Sequence, residues 1–239
     1  AAGSAFAAAT PQIPLLGSTI PQFVDPLPIP AILDLTAATT QTLTMCEFKS
    51  NVLPRTFVGA TSYTGTWTWG YVPGTICPTT VQNTYLGPII VAKRNNPTEV
   101  KFVNALPPPG PSNLLAWKYS TDQTLHWADP LNGEANMCNH MFGYPVYSLG
   151  TPDPCAQNYD GPVPTVVHLH GGEVPPQLDG GPDAWFTSDG SKVGHGYYSR
   201  DGVSAKNYSI YRYPNTQEAS PIWFHDHALG ITRLNVYAG

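Results

Sequence analysis

TVVHLHGG (residues 165–172) and IWFHDHALG (residues 222–230) decide how this chain is read. Each is a short run of β-branched or aromatic residues closed by glycine, the signature of a short buried strand. Each also carries a His-X-His pair, His168 with His170 and His225 with His227. Side chains at i and i+2 of a strand point to the same face, so each pair presents two imidazoles side by side. If the two strands are neighbours, four imidazoles converge on one spot. Imidazole is a ligand for copper, zinc, iron and nickel, so the four are candidate metal ligands. The competing reading is four strand-end histidines bonded to backbone. It explains one such pair better than two in matching surroundings.

Outward from these stretches the chain reads as strand after strand. Residues 35–49 (LTAATTQTLTMCEFK), 61–72 (TSYTGTWTWGYV), 85–92 (YLGPIIVA), 98–104 (TEVKFVN) and 207–213 (NYSIYRY) alternate or run apolar between turn residues. Residues 234–238 (LNVYA) read as the start of another apolar strand, after one helical turn from Asp226 onward. Such spacing predicts an all-β Greek-key sandwich or barrel with long loops. Residues 1–33 hold Ile-Pro and Leu-Pro steps without helical period, which predicts an extended N-terminal arm. Residues 34–239 then form one domain, with 128–162 as a loop insertion and 175–204 as a second long loop.

Composition agrees. Charged residues are only 11%, against 26 Pro and 22 Gly. Too few Lys, Glu and Arg are present for many exposed helices. With a net charge of −5 and no basic run, nucleic acid and anionic membrane surfaces are not expected partners. No apolar stretch has the roughly 18 residues of a membrane helix. Cys46, Cys77, Cys138 and Cys155 include no Cys-X-X-Cys pair. An even count beside few lysines suggests an extracytoplasmic protein with two disulfides, and the small-residue start suggests a mature N-terminus after signal cleavage. Four cysteines allow three pairings. Cys46–Cys77 and Cys138–Cys155 are expected, since each closes a modest loop; four free buried thiols are the alternative.

The two histidine stretches combine with DGGPDAWF (179–186), QFVDPLPIP (22–30) and GPIIVAKR (87–94). Together they resemble the N-terminal part of a multicopper oxidase of the bacterial spore-coat laccase and bilirubin oxidase branch. The resemblance implies that residues 34–239 are the first of three cupredoxin-like domains. It implies a trinuclear copper cluster, lying between the first and last domains, that reduces dioxygen to water. His168 would ligate its type 2 copper, and His170, His225 and His227 its type 3 pair. A type 1 copper would accept electrons from a small reducing substrate, whether phenol, tetrapyrrole or metal ion. No cysteine here has a His-Cys-His context. The type 1 site and the other cluster ligands are therefore expected on C-terminal cupredoxin domains, as a separate or cleaved chain.

Other residues take lesser roles. The resemblance implies that Asp179 delivers protons near the type 2 copper, with turn formation as its plain alternative; Asp183 is the second choice. Asp226, between two ligands, reads as a backbone-bonding residue. Trp185, Trp223 and Phe224 read as core and cluster wall. His126, His140 and His195 have no partner at ligand spacing. Two other functions compete. A cupin-type dioxygenase also uses His-X-His followed by Glu, but Glu173 follows His170 too closely and the second pair has no place in it. A non-enzymatic copper-binding domain needs only the four histidines.

Overall fold

In the computed structural model, the described residues are 13–37, 40–58, 62–114, 117, 127–131, 159–204 and 206–239. The strands are β1 (Ile32–Asp34), β2 (Thr40–Ser50), β3 (Thr66–Pro73), β4 (Ile89–Val91), β5 (Thr98–Asn104), β6 (Pro164–Thr165), β7 (Val167–His170), β8 (Phe186–Thr187), β9 (Tyr208–Tyr213) and β10 (Trp223–Asp226). A short helix, α1 (Thr232–Ala238), follows.

The alternation in TEVKFVN becomes β5, with Thr98, Val100, Phe102 and Asn104 buried and the residues between them half-buried. Its place in the middle of the largest sheet explains that pattern. The sheet order is β3-β2-β5-β9, with β2 and β5 parallel and the outer pairings antiparallel. Three two-stranded ladders accompany it: β1 with β4, β6 with β8, and β7 with β10. The fold is thus all-β, as expected. The described strands do not close into a barrel.

Side chains join the layers where no ladder does. Asn104 ends β5 fully buried, and its Nδ2 donates to Val163 O, Thr165 Oγ1 and Phe186 O. Those acceptors flank β6 and β8. A polar side chain in the core needs such partners, and here they fix the small ladders over the large sheet. Phe102, Tyr211, Val166, Val167 and Phe186 fill the space between.

One element differs in kind from its sequence reading. Residues 234–238, expected as a strand, lie in α1. Ile231, Leu234, Asn235 and Ala238 are buried and recur at helical spacing, three or four apart. A five-residue apolar run cannot distinguish strand from helix by period alone. The helical turn expected from Asp226 falls later, since β10 runs through Asp226.

Cys46 and Cys77 form the expected disulfide, 31 residues apart with Cα atoms 5.5 Å apart. Closing a loop of that length stabilises by about 3–4 kcal/mol in the chain-entropy account. Cys138 and Cys155, most of the 128–162 insertion, His126 and His140 lie outside the described residues. Residues 13–31 carry one 3-10 turn (Gly17–Thr19) and leave Phe23, Leu27 and Ile29 exposed. No helix among the described residues is long and apolar enough to cross a membrane.

Candidate metal centre

The two histidine stretches are partners. β7 and β10 run antiparallel, with His168 opposite His225, His170 opposite Trp223 and Val167 opposite Asp226. Residues directly opposite on one face meet, so the pairing brings two His-X-His motifs onto one patch. From His168, ring centroids lie 5.5 Å away at His170, 5.5 Å at His225 and 4.9 Å at His227. Donor atoms of His168, His170 and His225 lie within 4.8 Å of one another. His170 is exposed and the other three imidazoles are partly buried.

Hydrogen bonds set the tautomers. His168 Nδ1 sits 2.5 Å from the Asp179 carbonyl, and His225 Nδ1 sits 2.6 Å from the Asp226 carbonyl. A carbonyl only accepts, so each Nδ1 carries the proton and each Nε2 keeps its lone pair. This is the arrangement that metal-binding histidines use, with the second nitrogen anchored behind the ligating one. His170 Nδ1 faces His225 Nε2 at 3.1 Å. Two nitrogens each about 2.0 Å from one ion and roughly 100° apart are separated by about 3.1 Å. His227 Nδ1 is buried and has no hydrogen-bond partner among the described residues. An orphaned ring nitrogen beside three convergent imidazoles fits a site for a metal ion. The donor set is all imidazole, which suits copper.

Electrostatics favour a neutral His225 ring. The His225 pKa is lowered, first by burial and then by the neighbouring imidazoles, against the pull of the Asp226 carbonyl. A neutral imidazole is the form that binds metal.

A glycine brings Asp179 to the site. Asp179 ends a 3-10 turn (Pro176–Leu178), and Gly180 follows at φ +70°. A Cβ at Gly180 would lie 1.9 Å from the Val167 carbonyl oxygen and 2.9 Å from the His168 Cα. Only glycine permits this contact, which presses the Asp179 carbonyl against His168. The Asp179 carboxylate lies 3.5 Å from His168 Nδ1, its side chain 45% exposed. Asp183 is exposed, and its carbonyl accepts from Gly196 N–H. Glu173 is exposed, and its backbone N–H donates to Gln217 Oε1.

Asp226 is the anchor behind the metal face. It is buried and accepts from Val166 N–H, Ala228 N–H and Asn235 Nδ2, each at 3.0 Å. Burial pushes its carboxyl up to about 7, and the three donors oppose that shift. Asn235 also donates to Pro164 O and accepts from Trp117 Nε1. One network therefore ties β6, β7, β10 and α1 together. The sequence reading foresaw a backbone-bonding Asp226 but had no signal for Asn235, because its helix was read as a strand. Of the aromatics, Trp185 and Phe224 pack with the core, whereas Trp223 is 54% exposed and stands against the imidazoles.

Comparison with known proteins finds relatives among laccases and multicopper oxidases. No protein-family model matches the chain. Over 221 residues, 92% of its length, it is 32% identical to a laccase of Bacillus subtilis (strain 168), covering 32% of that protein. It is 36% identical over 64% of its length to a laccase of Bacillus stratosphericus, covering 21% of it. It is 35% identical over 65% of its length to multicopper oxidase LPR1 homolog 5 of Oryza sativa subsp. japonica, covering 18% of it. The chain spans a third or less of the length of these curated relatives.

Proposed function

We propose that this chain, similar to a laccase over 92% of its length and to a multicopper oxidase over 65%, supplies half of the ligands of a trinuclear copper cluster. The observation that carries this reading is the β7–β10 register, which brings two His-X-His pairs onto one patch, with the donor atoms of His168, His170 and His225 converging and the His227 ring 4.9 Å from that of His168. His168 takes the type 2 position. His170, His225 and His227 take the type 3 pair, with His170 and His225 on one ion, as their 3.1 Å approach supports. The remaining ligands and the type 1 copper belong to C-terminal cupredoxin domains of the same oxidase, beyond the third of the relatives' length that this chain matches.

Copper bound there would supply the redox chemistry that takes dioxygen to water while a phenolic, tetrapyrrole or metal-ion substrate is oxidised one electron at a time. The chain's own residues hold and orient. The Asp179 and Asp226 carbonyls fix the His168 and His225 rings, and Asp179 moves protons. Its carboxylate stands with one side in solvent and the other 3.5 Å from His168, the placement a relay needs. The Cys46–Cys77 disulfide supports an extracytoplasmic setting.

The test is metal removal in the complete oxidase. The copper-loaded protein should take up dioxygen in the presence of a phenol. A strong chelator should abolish uptake, and added copper should restore it. Oxygen uptake that survives full copper removal would overturn the reading.

Asp179→Asn tests the relay. The Asp179 carbonyl still anchors His168, so copper content should be unchanged. Turnover should fall at least about tenfold, because general acid catalysis contributes roughly 10²–10⁴-fold. Steady-state oxygen uptake across pH measures it, and normal turnover at every pH would reduce Asp179 to a turn residue.

A further inference from the structure

Trp223 is a large aromatic residue left half in solvent beside the imidazoles. Its indole lies 4.2 Å from the His225 ring at 30° and 4.8 Å from the His170 ring at 26°, stacked on both. The fold makes this contact unavoidable. Trp223 and His225 are i and i+2 on β10, and His170 is the direct cross-strand partner of Trp223. All three share one face.

The two rings that Trp223 touches are the two whose nitrogens meet at 3.1 Å. Their need for support differs. His225 is held from behind by the Asp226 carbonyl. His170 is exposed, and its one hydrogen-bonding contact shown here is His225 itself. An exposed imidazole hinged at two torsions keeps its rotamer freedom unless packing removes it. The indole plane is the packing available to it.

We propose that Trp223 is a positioning residue for metal binding, a flat wall that sets the ring planes of His170 and His225 before an ion arrives. The proposal rests on the reading of His170 and His225 as metal ligands. Trp223 itself touches no metal in this scheme. It lowers the ordering cost of capture, the usual effect of preorganisation, and acts as supporting groups around metal ligands do.

The experiment uses the complete, metal-free protein and Zn(II), a redox-inert ion that imidazoles bind. Affinity is measured by competition with a chromophoric chelator for wild type, His170→Ala, Trp223→Ala, Trp223→Leu and Trp223→Phe. Trp223→Ala and Trp223→Leu should weaken Zn(II) binding about tenfold or more, within the roughly 10–100-fold range for lost supporting groups. Trp223→Phe, which restores a flat face, should stay within about threefold of wild type. The metal-free melting temperature should hold across the series, since Trp223 stands outside the hydrophobic core cluster of this domain. Unchanged affinity in Trp223→Ala overturns the proposal and leaves the ligand reading standing. So does a Trp223→Phe as weak as Trp223→Leu. If wild type and His170→Ala bind Zn(II) alike, the ligand reading falls and this inference falls with it.

Discussion

Asp226→Ala is expected to remove at least about 3 kcal/mol of folding stability. Three buried donors, Val166 N–H, Ala228 N–H and Asn235 Nδ2, lose their acceptor at once. Each orphaned buried donor costs about 1–3 kcal/mol. The total is a large fraction of the roughly 5–15 kcal/mol that holds a domain folded. Asp226→Asn does not rescue it fully, because an amide must turn one NH₂ group toward donors. Urea unfolding followed by tryptophan fluorescence measures both variants. An unfolding midpoint within error of wild type would mean that β6, β7, β10 and α1 are held together by something other than this carboxylate.

His225→Ala should weaken copper binding by roughly 100-fold or more, with dioxygen uptake lost alongside. Structural four-ligand zinc sites bind with about 10–16 kcal/mol, so one ligand accounts for about 3 kcal/mol. That converts to roughly 150-fold in affinity. His225 lies beside all three other imidazoles: opposite His168, 3.1 Å from His170 and 5.8 Å from the His227 ring. Competition with a copper chelator reads the affinity directly, and metal analysis after dialysis reads occupancy. Full copper retention would remove His225 from the ligand set. Unlike Asp226→Ala, this variant should keep its urea midpoint in the metal-free state, since His225 bonds only a neighbouring carbonyl and its ring companions.

Much of this was legible in the sequence because it was periodic. The alternation of Thr98–Asn104 reported a strand buried on one face, and β5 has those bounds. His168 and His170, and His225 and His227, announced themselves by spacing. Their neighbouring glycines and aromatics marked both as strands. Cys46 with Cys77 was the expected pairing because it closes a modest loop between neighbouring early strands, one of three pairings that four cysteines allow, and the disulfide forms there. What stayed hidden depends on three dimensions. Residues 234–238 look apolar in any conformation, and only the burial of Ile231, Leu234 and Asn235 on one side shows the helix. Asn104 joins the large sheet to the small β6–β8 ladder through its side chain, and nothing in its sequence neighbourhood marks it. Trp223 was readable as a wall residue, but its stack on His170 requires the register of β7 against β10. Gly180 reads as a turn glycine, and its closeness to Val167 emerges only when the loop folds back.

The pairing of distant segments also sets an order of events. The central sheet cannot close until β9 reaches β5, and Asn215 bonds Thr98 across 117 residues of chain. His170 and His225, in turn, are 55 residues apart. Contacts of such sequence separation form slowly, since loop closure must precede any gain from contact. During synthesis, His168 and His170 emerge long before their partners and hold at most half of this patch. An ion taken up at that stage would meet two imidazoles without the backstop of β10. The β7–β10 ladder is thus a late product of folding: its two histidine pairs can meet only after the chain from His170 to His225 has been made.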